Sequence, residues 1–278
     1  MDLSIIIAHY NPKNHPNSLK SFHKTLSSIC NQKGKFNIEV IIADDGSLCN
    51  REIINFNSSK IIYNNTNIFC LSSEELIKWK EDYNYNYDVI NKWLYYPKDN
   101  NSMNKARLGN VSIQVSKSDN LLFLDDDNYF ITENSIQEIL NHLNSFDLVI
   151  GQIKDANGRL RKYNSNRVQG TTFAIKKHIM ESIGGFGVWT ESVSSAVDSD
   201  IWWKLYNYFI SNSNKKACYT NKFQTLDSCS KRWKPHIKKL FRYYAVKKEF
   251  YRVHGCPNYR KIKYNPSRIK SKWITNLT

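Results

Sequence analysis

Short apolar runs that end in polar or acidic residues recur along the first half of this 278-residue chain. The first, SIIIAHYN at residues 4–11, is β-branched and closed by Pro12, the pattern of a buried parallel strand. Leu19, Phe22, Leu26 and Ile29 then recur at helical spacing, and Gly34 follows as a stop signal. IEVIIADDGS at residues 38–47 is a second buried strand, ending in Asp44 and Asp45. Strand, helix and strand in succession form a βαβ unit, with a right-handed crossover and adjacent parallel strands as the default. Both polar strand ends then fall on one edge of the sheet.

KIIYNNTN at residues 60–67 predicts a third strand, and residues 68–104 read as a polar, aromatic insertion in which Ser72 and Glu75 are spaced as a capping box. Leu108, Val111 and Val115 are spaced as a helix that leads into the strand NLLFLDDD. Thr132 is the expected cap of the next helix, which carries Ile136, Ile139, Leu140 and Leu143 on one face, and DLVIGQI at residues 147–153 is the strand after it. A polar loop, a short strand at TTFAI, a turn at Gly184-Gly185-Phe186 and a helix from Asp198 to Phe209 follow. Trp233, Ile237, Leu240, Phe241, Tyr244 and Tyr251 trace one more amphipathic helix. The pattern predicts an α/β domain over residues 1–230, with a mostly parallel central sheet flanked by helices, and a helical extension over 231–278.

Composition adds bounds. A hydrophobic content of 41% over this length is enough for a sizeable core. The six cysteines show no CxxC pair, which points to thiols in a reducing compartment and away from a zinc site. The apolar run Leu3–Ala8 is too short for a signal or a membrane span, so a soluble, cytoplasmic protein is expected. Charge divides the chain in two. Of a net +15, the stretch from Lys231 to Lys272 carries +14, with fifteen Lys or Arg against the single acid Glu249. Such a tail meets phosphates, whether of an anionic acceptor, a membrane surface or nucleic acid, unless it is simply a solvated helix face. A nucleic-acid-binding protein is the reading this tail supports by itself. It leaves the acids at the strand ends without a purpose.

Those acids carry the chemistry. Ligands of open α/β sheets collect beyond the carboxyl ends of the strands. His9-Tyr10-Asn11, Asp44-Asp45 and Asp125-Asp126-Asp127 all fall there. Three adjacent like charges are easiest to accommodate around a cation, and hard carboxylate oxygens suit Mg2+ or Mn2+, which bridge to substrate phosphates. Along a strand Asp125 and Asp127 share a side, and Asp126 faces the other way.

SIIIAHYN, VIIADDGS, KARLGN with LLFLDDDN, GTTFAIKKHIMESIGGF and VDSDIWWKL, in that order, resemble the family-two inverting nucleotide-sugar glycosyltransferases. The resemblance runs from residue 4 to about 210 and implies the A-type (GT-A) fold, with a Rossmann-like sheet and a DxD motif. It implies that Tyr10 and Asp45 hold the nucleobase, Asp45 accepting a uracil N–H, that Ala8 and His9 line the same pocket, and that Asn11 and Asp44 belong to the donor site. It gives Asp127 the metal, with Asp125 and Asp126 positioning the sugar and a metal-bound water and Asp125 in reach of the ion. It sets Lys105 and Arg107 against the donor and Asp198, or alternatively Asp200, as general base. The expected reaction is metal-dependent transfer of a hexosyl or N-acetylhexosaminyl group, with inversion, from a UDP-sugar to a hydroxyl of a glycan, protein or lipid-linked acceptor.

Each feature has a plainer reading. Asp44-Asp45-Gly46 also reads as a turn, Asp198 as a helix cap, Gly184-Gly185 as a backbone turn and Trp202-Trp203 as core, while Trp189 is a candidate acceptor platform. His9, His15 and His23 are too scattered for a joint metal site. Two departures from the family pattern stand out. Val197 replaces the acid usually found before the base, and TLDSCSKRW lacks the usual metal-binding histidine, with Asp227 or His236 as its stand-in. Both departures also fit a protein that keeps the fold and only binds a partner.

Overall fold

The computed structural model describes residues 1–11, 16–47, 59–71, 74–77, 89–97, 102–163, 169–228, 238–256 and 273–278. The βαβ opening is as expected: β1 (Leu3–His9), α1 (Pro16–Cys30) and β2 (Ile38–Asp44), with β1 and β2 parallel and His9 registered against Asp44. The third expected strand is instead a hairpin, β3 (Ser59–Tyr63) and β4 (Thr66–Cys70). Asn64 and Asn65 both adopt positive φ, 47° and 59°, as a tight two-residue hairpin turn demands. The presumed insertion is corrected as well, because β5 (Ile90–Tyr95) pairs in parallel with β2 and belongs to the central sheet. Trp93 and Leu94 are fully buried there.

The remaining elements are α2 (Lys105–Val115), β6 (Asn120–Asp125), β7 (Asn128–Phe130), α3 (Ser135–Leu143), β8 (Leu148–Asp155), β9 (Phe173–Lys176), α4 (Lys177–Ser182), α5 (Val197–Ser211), β10 (Ala217–Asp227), α6 (Lys238–His254) and β11 (Ile274–Asn276). The sheet runs β11-β10-β8-β9-β6-β1-β2-β5-β4-β3, and β7 pairs with β10. Strands β5, β2, β1, β6, β8 and β10 point the same way, and β9 is reversed between β6 and β8.

Alternation along the strands separates two cores. Leu3, Ile5, Ile7, Val40, Ile42, Leu122 and Leu124 face α1 and α3, whereas Ile6, Ile41, Leu121, Phe123 and Ile150 face α2, α4 and α5. Phe123 stacks on Phe173 at 5.0 Å and meets Phe186 edge-on at 5.2 Å. Thr132 does not cap α3, since its Oγ1 is engaged with Ser135 Oγ at 2.7 Å. The Ile136 N–H donates to Gln32 Oε1 at 3.0 Å, so the turn just after α1 supplies the acceptor. Gly184 and Gly185 form the expected turn with φ of 71° and 61°.

The tail helix is only partly the one the sequence pattern predicts. Trp233 and Ile237 lie outside the described residues, as do the side chains of Leu240 and Phe241. Phe250 is the buried anchor, while Tyr244 and Tyr251 are exposed. Among the described residues no helix is long and apolar enough to cross a membrane.

Phe123→Ala removes the ring shared by two aromatic partners in a packed interior. It is expected to cost about 3–5 kcal/mol of stability, read as a lower urea midpoint at unchanged slope.

Candidate active site

The tips of β1, β2 and β6 are tied together by the backbone. The Asp45 N–H donates to His9 O at 2.9 Å and the Asp126 N–H to Ala8 O at 3.1 Å, which brings the acid clusters to one edge. Asp44 is fully buried and accepts from Ser47 N–H (2.9 Å), Ser47 Oγ (2.7 Å) and Trp93 Nε1 (3.1 Å), so it builds the turn. Asp45 accepts from the Asn104 backbone N–H at 3.1 Å and its side-chain amide at 2.8 Å. Burial, then the charges of Asp45 and Asp44, hold the Tyr10 phenol above its ordinary pKa, so Tyr10 lies beside this pair. The Asn11 N–H donates to Ser47 Oγ at 2.9 Å, and partly exposed Ala8 lines a shallow recess with Lys105, Gly109, Gly170 and Phe186.

The alternation expected of the three aspartates is present. Asp126 turns inward, 1% exposed, and accepts from the Tyr10 N–H at 3.2 Å while pairing with His9 Nδ1 at 2.8 Å. His9 in turn stacks on Phe22 at 4.2 Å and meets Trp93 at 5.6 Å. Asp126 therefore braces the tip from within. Asp125 turns the other way and pairs with Lys105 Nζ at 2.5 Å. Its carboxyl is pushed up to about 6, chiefly by burial, with Lys105 opposing the rise and Asp127 and Asp198 adding to it. Burial acts to lower the Lys105 ammonium, but Asp125, Asp198 and Asp127 outweigh it and hold the pKa above its usual range. The charges acting on Lys105 and Asp125 place Asp127 and Asp198 beside them in one electrostatic cluster.

Asp198 reaches the cluster across Gly170. A Cβ built on Gly170 falls 2.0 Å from Asp198 Oδ1, so only glycine admits the carboxylate. Asp198 is not the helix cap: the capping position of α5 is Ala196, at φ 75°, and no side chain bonds there. The loop holding Gly170 is itself fixed to β6, because the Asp125 N–H donates to Thr171 Oγ1 at 2.8 Å.

Asp200 is elsewhere. Fully buried, it accepts from Gly187 N–H (2.6 Å) and Trp189 Nε1 (2.7 Å) and pairs with His254 Nε2 (2.8 Å) and Lys204 Nζ (3.2 Å). Despite burial, its hydrogen bond from His254 and the charge of Lys204 hold its pKa below the ordinary carboxylate value. Trp189 is thereby turned inward, against Phe250 and His254. Arg107 is likewise engaged, through Glu191 Oε2 at 2.8 Å and Oε1 at 3.3 Å and through Thr66 Oγ1. Val197 is 3% exposed and belongs to the core, which accounts for an apolar residue before Asp198. Arg161 grips Asp227 at 2.5 Å and Asp155 at 2.6 Å, and His236 and His15 lie outside the described residues.

For a divalent ion the available donors are hard oxygens, Asp125 and Asp127. Among the described residues no group of three or more His, Cys, Asp or Glu side chains is gathered to hold a metal. Two carboxylates fit Mg2+-type binding, in which water and substrate phosphate complete the shell. Sequence reasoning assigned no role to Asn104, Gly170, Thr171, Glu191 or His254. GTTFAI carried a signal for the first loop; nothing local marked His254.

No protein-family model matches the chain, and no curated protein matches it. Solved structures do. S. aureus TarS 1–349 in complex with UDP-GlcNAc aligns at a TM-score of 0.53 and 16% identity, over 92% of this chain and 67% of that one. The mannosyltransferase PcManGT from Pyrobaculum calidifontis, in complex with GDP-Man and Mn2+, aligns at 0.57 and 15% identity, over 91% and 64%. TarS 1–349 in complex with UDP aligns at 0.51 and 16%, over 82% and 58%, so the chain spans about three fifths of that relative. The chain has the A-type glycosyltransferase fold. The recess lies among β1, β2, β6 and α2, and Asp198 at the start of α5 meets Gly170 in its lining.

Two outcomes are expected. Asp200→Ala strands four donors in the interior and should cost about 3–5 kcal/mol, read by urea unfolding. A raised folded pKa means that the folded chain retains a proton on Asp125 that the unfolded chain has released. Stability contributed here falls as pH rises from the ordinary carboxylate value to about 6 and is constant above. Asp125→Asn should flatten that fall, compared as urea midpoints at pH values below and above the interval.

Proposed function

We propose that the protein transfers a hexosyl or N-acetylhexosaminyl group from a nucleotide sugar, with UDP as the nucleotide, to an acceptor hydroxyl, with inversion. The observation that carries this reading is the carboxylate of Asp198, which has no capping duty and faces Asp125, Lys105 and Asp127 across Gly170. In this reading Asp198 is the general base. It takes the acceptor proton as the hydroxyl oxygen attacks the anomeric carbon, and the bond from that carbon to the diphosphate breaks with its electron pair on the leaving oxygen. Base catalysis of this kind is worth roughly 10²–10⁴-fold.

Tyr10 and the Asp45–Asn104 pair would receive the nucleobase, and Lys105 would meet the donor phosphates. Asp126, held by His9, keeps the β6 tip in position. Asp125 and Asp127 would hold Mn2+ or Mg2+, and the ion supplies Lewis-acid stabilisation of the leaving diphosphate when bound. Fold likeness to transferases that bind UDP, UDP-GlcNAc, and GDP-Man with Mn2+ supports the donor class. Residues 1–230 would form the catalytic unit, with 231–278 as an extension on it.

Calorimetric titration of UDP is the direct test, with micromolar binding that requires Mn2+ as the expected result; absence of binding to any nucleoside diphosphate overturns the reading. Asp127→Asn should abolish the metal-dependent part. Asp198→Asn should keep UDP affinity and lower transfer roughly 10²–10⁴-fold. Normal turnover in that variant would remove Asp198 as base.

A further inference from the structure

We propose that α6 seats the protein on an anionic lipid surface. Among the described residues, Phe250 and His254 mount the helix on the domain. Phe250 is fully buried, 4.6 Å from the His254 ring, and His254 Nε2 is bonded to Asp200. Tyr244, Lys248 and Tyr251 follow one another at i, i+4 and i+7 on an exposed stripe roughly 100° or more around the helix from Phe250, with exposed Arg252 beside them. Tyr244 is 67% and Tyr251 61% exposed. Tyr243 and Val253 are also exposed, which is more apolar surface than a solvated helix of this length requires.

Charge and shape select the occupant. Glu249, the only acid from 231 to 278, is offset by Arg252 at 2.8 Å, which leaves no acidic side chain of the tail to oppose Lys248, and the sequence from 231 to 272 carries +14. Tyrosine rings with a polar tip among Lys and Arg match the headgroup level of a bilayer, where the ring sits below the phosphates and the cations among them. A nucleic-acid strand asks instead for a groove that follows its backbone. Tyr244 and Tyr251 stand exposed along one stripe of a single helix, and a straight row of rings suits a plane.

The test is co-sedimentation of the full chain with phosphatidylcholine vesicles, with and without phosphatidylglycerol. Binding is expected only with phosphatidylglycerol, and it should weaken as salt rises. Lys248→Gln with Arg252→Gln should lower the partition coefficient roughly 25-fold, at about fivefold for each charge. Tyr244→Ser with Tyr251→Ser should lower it at unchanged charge. All four side chains lie on the outer face, so the variants should keep the wild-type thermal midpoint. Failure to sediment with phosphatidylglycerol vesicles overturns the proposal, as does binding that ignores the tyrosine changes. Retention on a single-stranded oligonucleotide without vesicle binding overturns it in favour of nucleic acid.

Discussion

Carboxylates crowded at one end of a sheet repel one another, and the interior of this protein is arranged so that nearly every one is balanced separately. Asp44 is balanced by its own turn and Trp93, Asp45 by Asn104, Asp126 by His9, Asp125 by Lys105 and Asp200 by four donors. An unpaired buried charge would cost several kcal/mol, so each of these partners offsets part of that cost. Asp198 differs. Among the described residues its carboxylate accepts no hydrogen bond, and what it meets is the bare backbone of Gly170 and the edge of a cluster with one lysine.

Helix geometry explains how two acids so near in sequence acquire such different surroundings. Residues two apart on an α-helix point about 200° away from each other. If Asp198 faces the recess, Asp200 must face the interior, where Gly187, Trp189, Lys204 and His254 meet it. The donors on Asp200 hold the first turn of α5 in rotation and so aim Asp198. Gly170 then sets how close the carboxylate comes to Asp125.

Much of this was legible in the chain. Apolar runs with acid ends located β1, β2 and β6, and strict alternation separated inward Asp126 from Asp125 and Asp127. What failed to show was anything depending on contact between distant segments. β5 has the sequence INKWLY, whose polar second and third residues hide a strand buried between β2 and β4. The cap of α3 is supplied by Gln32, 104 residues earlier than the N–H it accepts from. Arg107 has the residue type of a donor-binding group and yet is held by Glu191, 84 residues on. The tail's aromatic pattern named Tyr244 and Tyr251 and passed over Phe250, because periodicity reports that a face exists and not which side is covered.

The bond from His254 to Asp200 joins residues 54 positions apart, and the C-terminal member is the later to be made. During synthesis the sheet through β10 can assemble while the carboxylate of Asp200 still lacks one of its buried partners. A chain that ended between Asp227 and His254 would therefore leave Asp200 with Gly187, Trp189 and Lys204 alone.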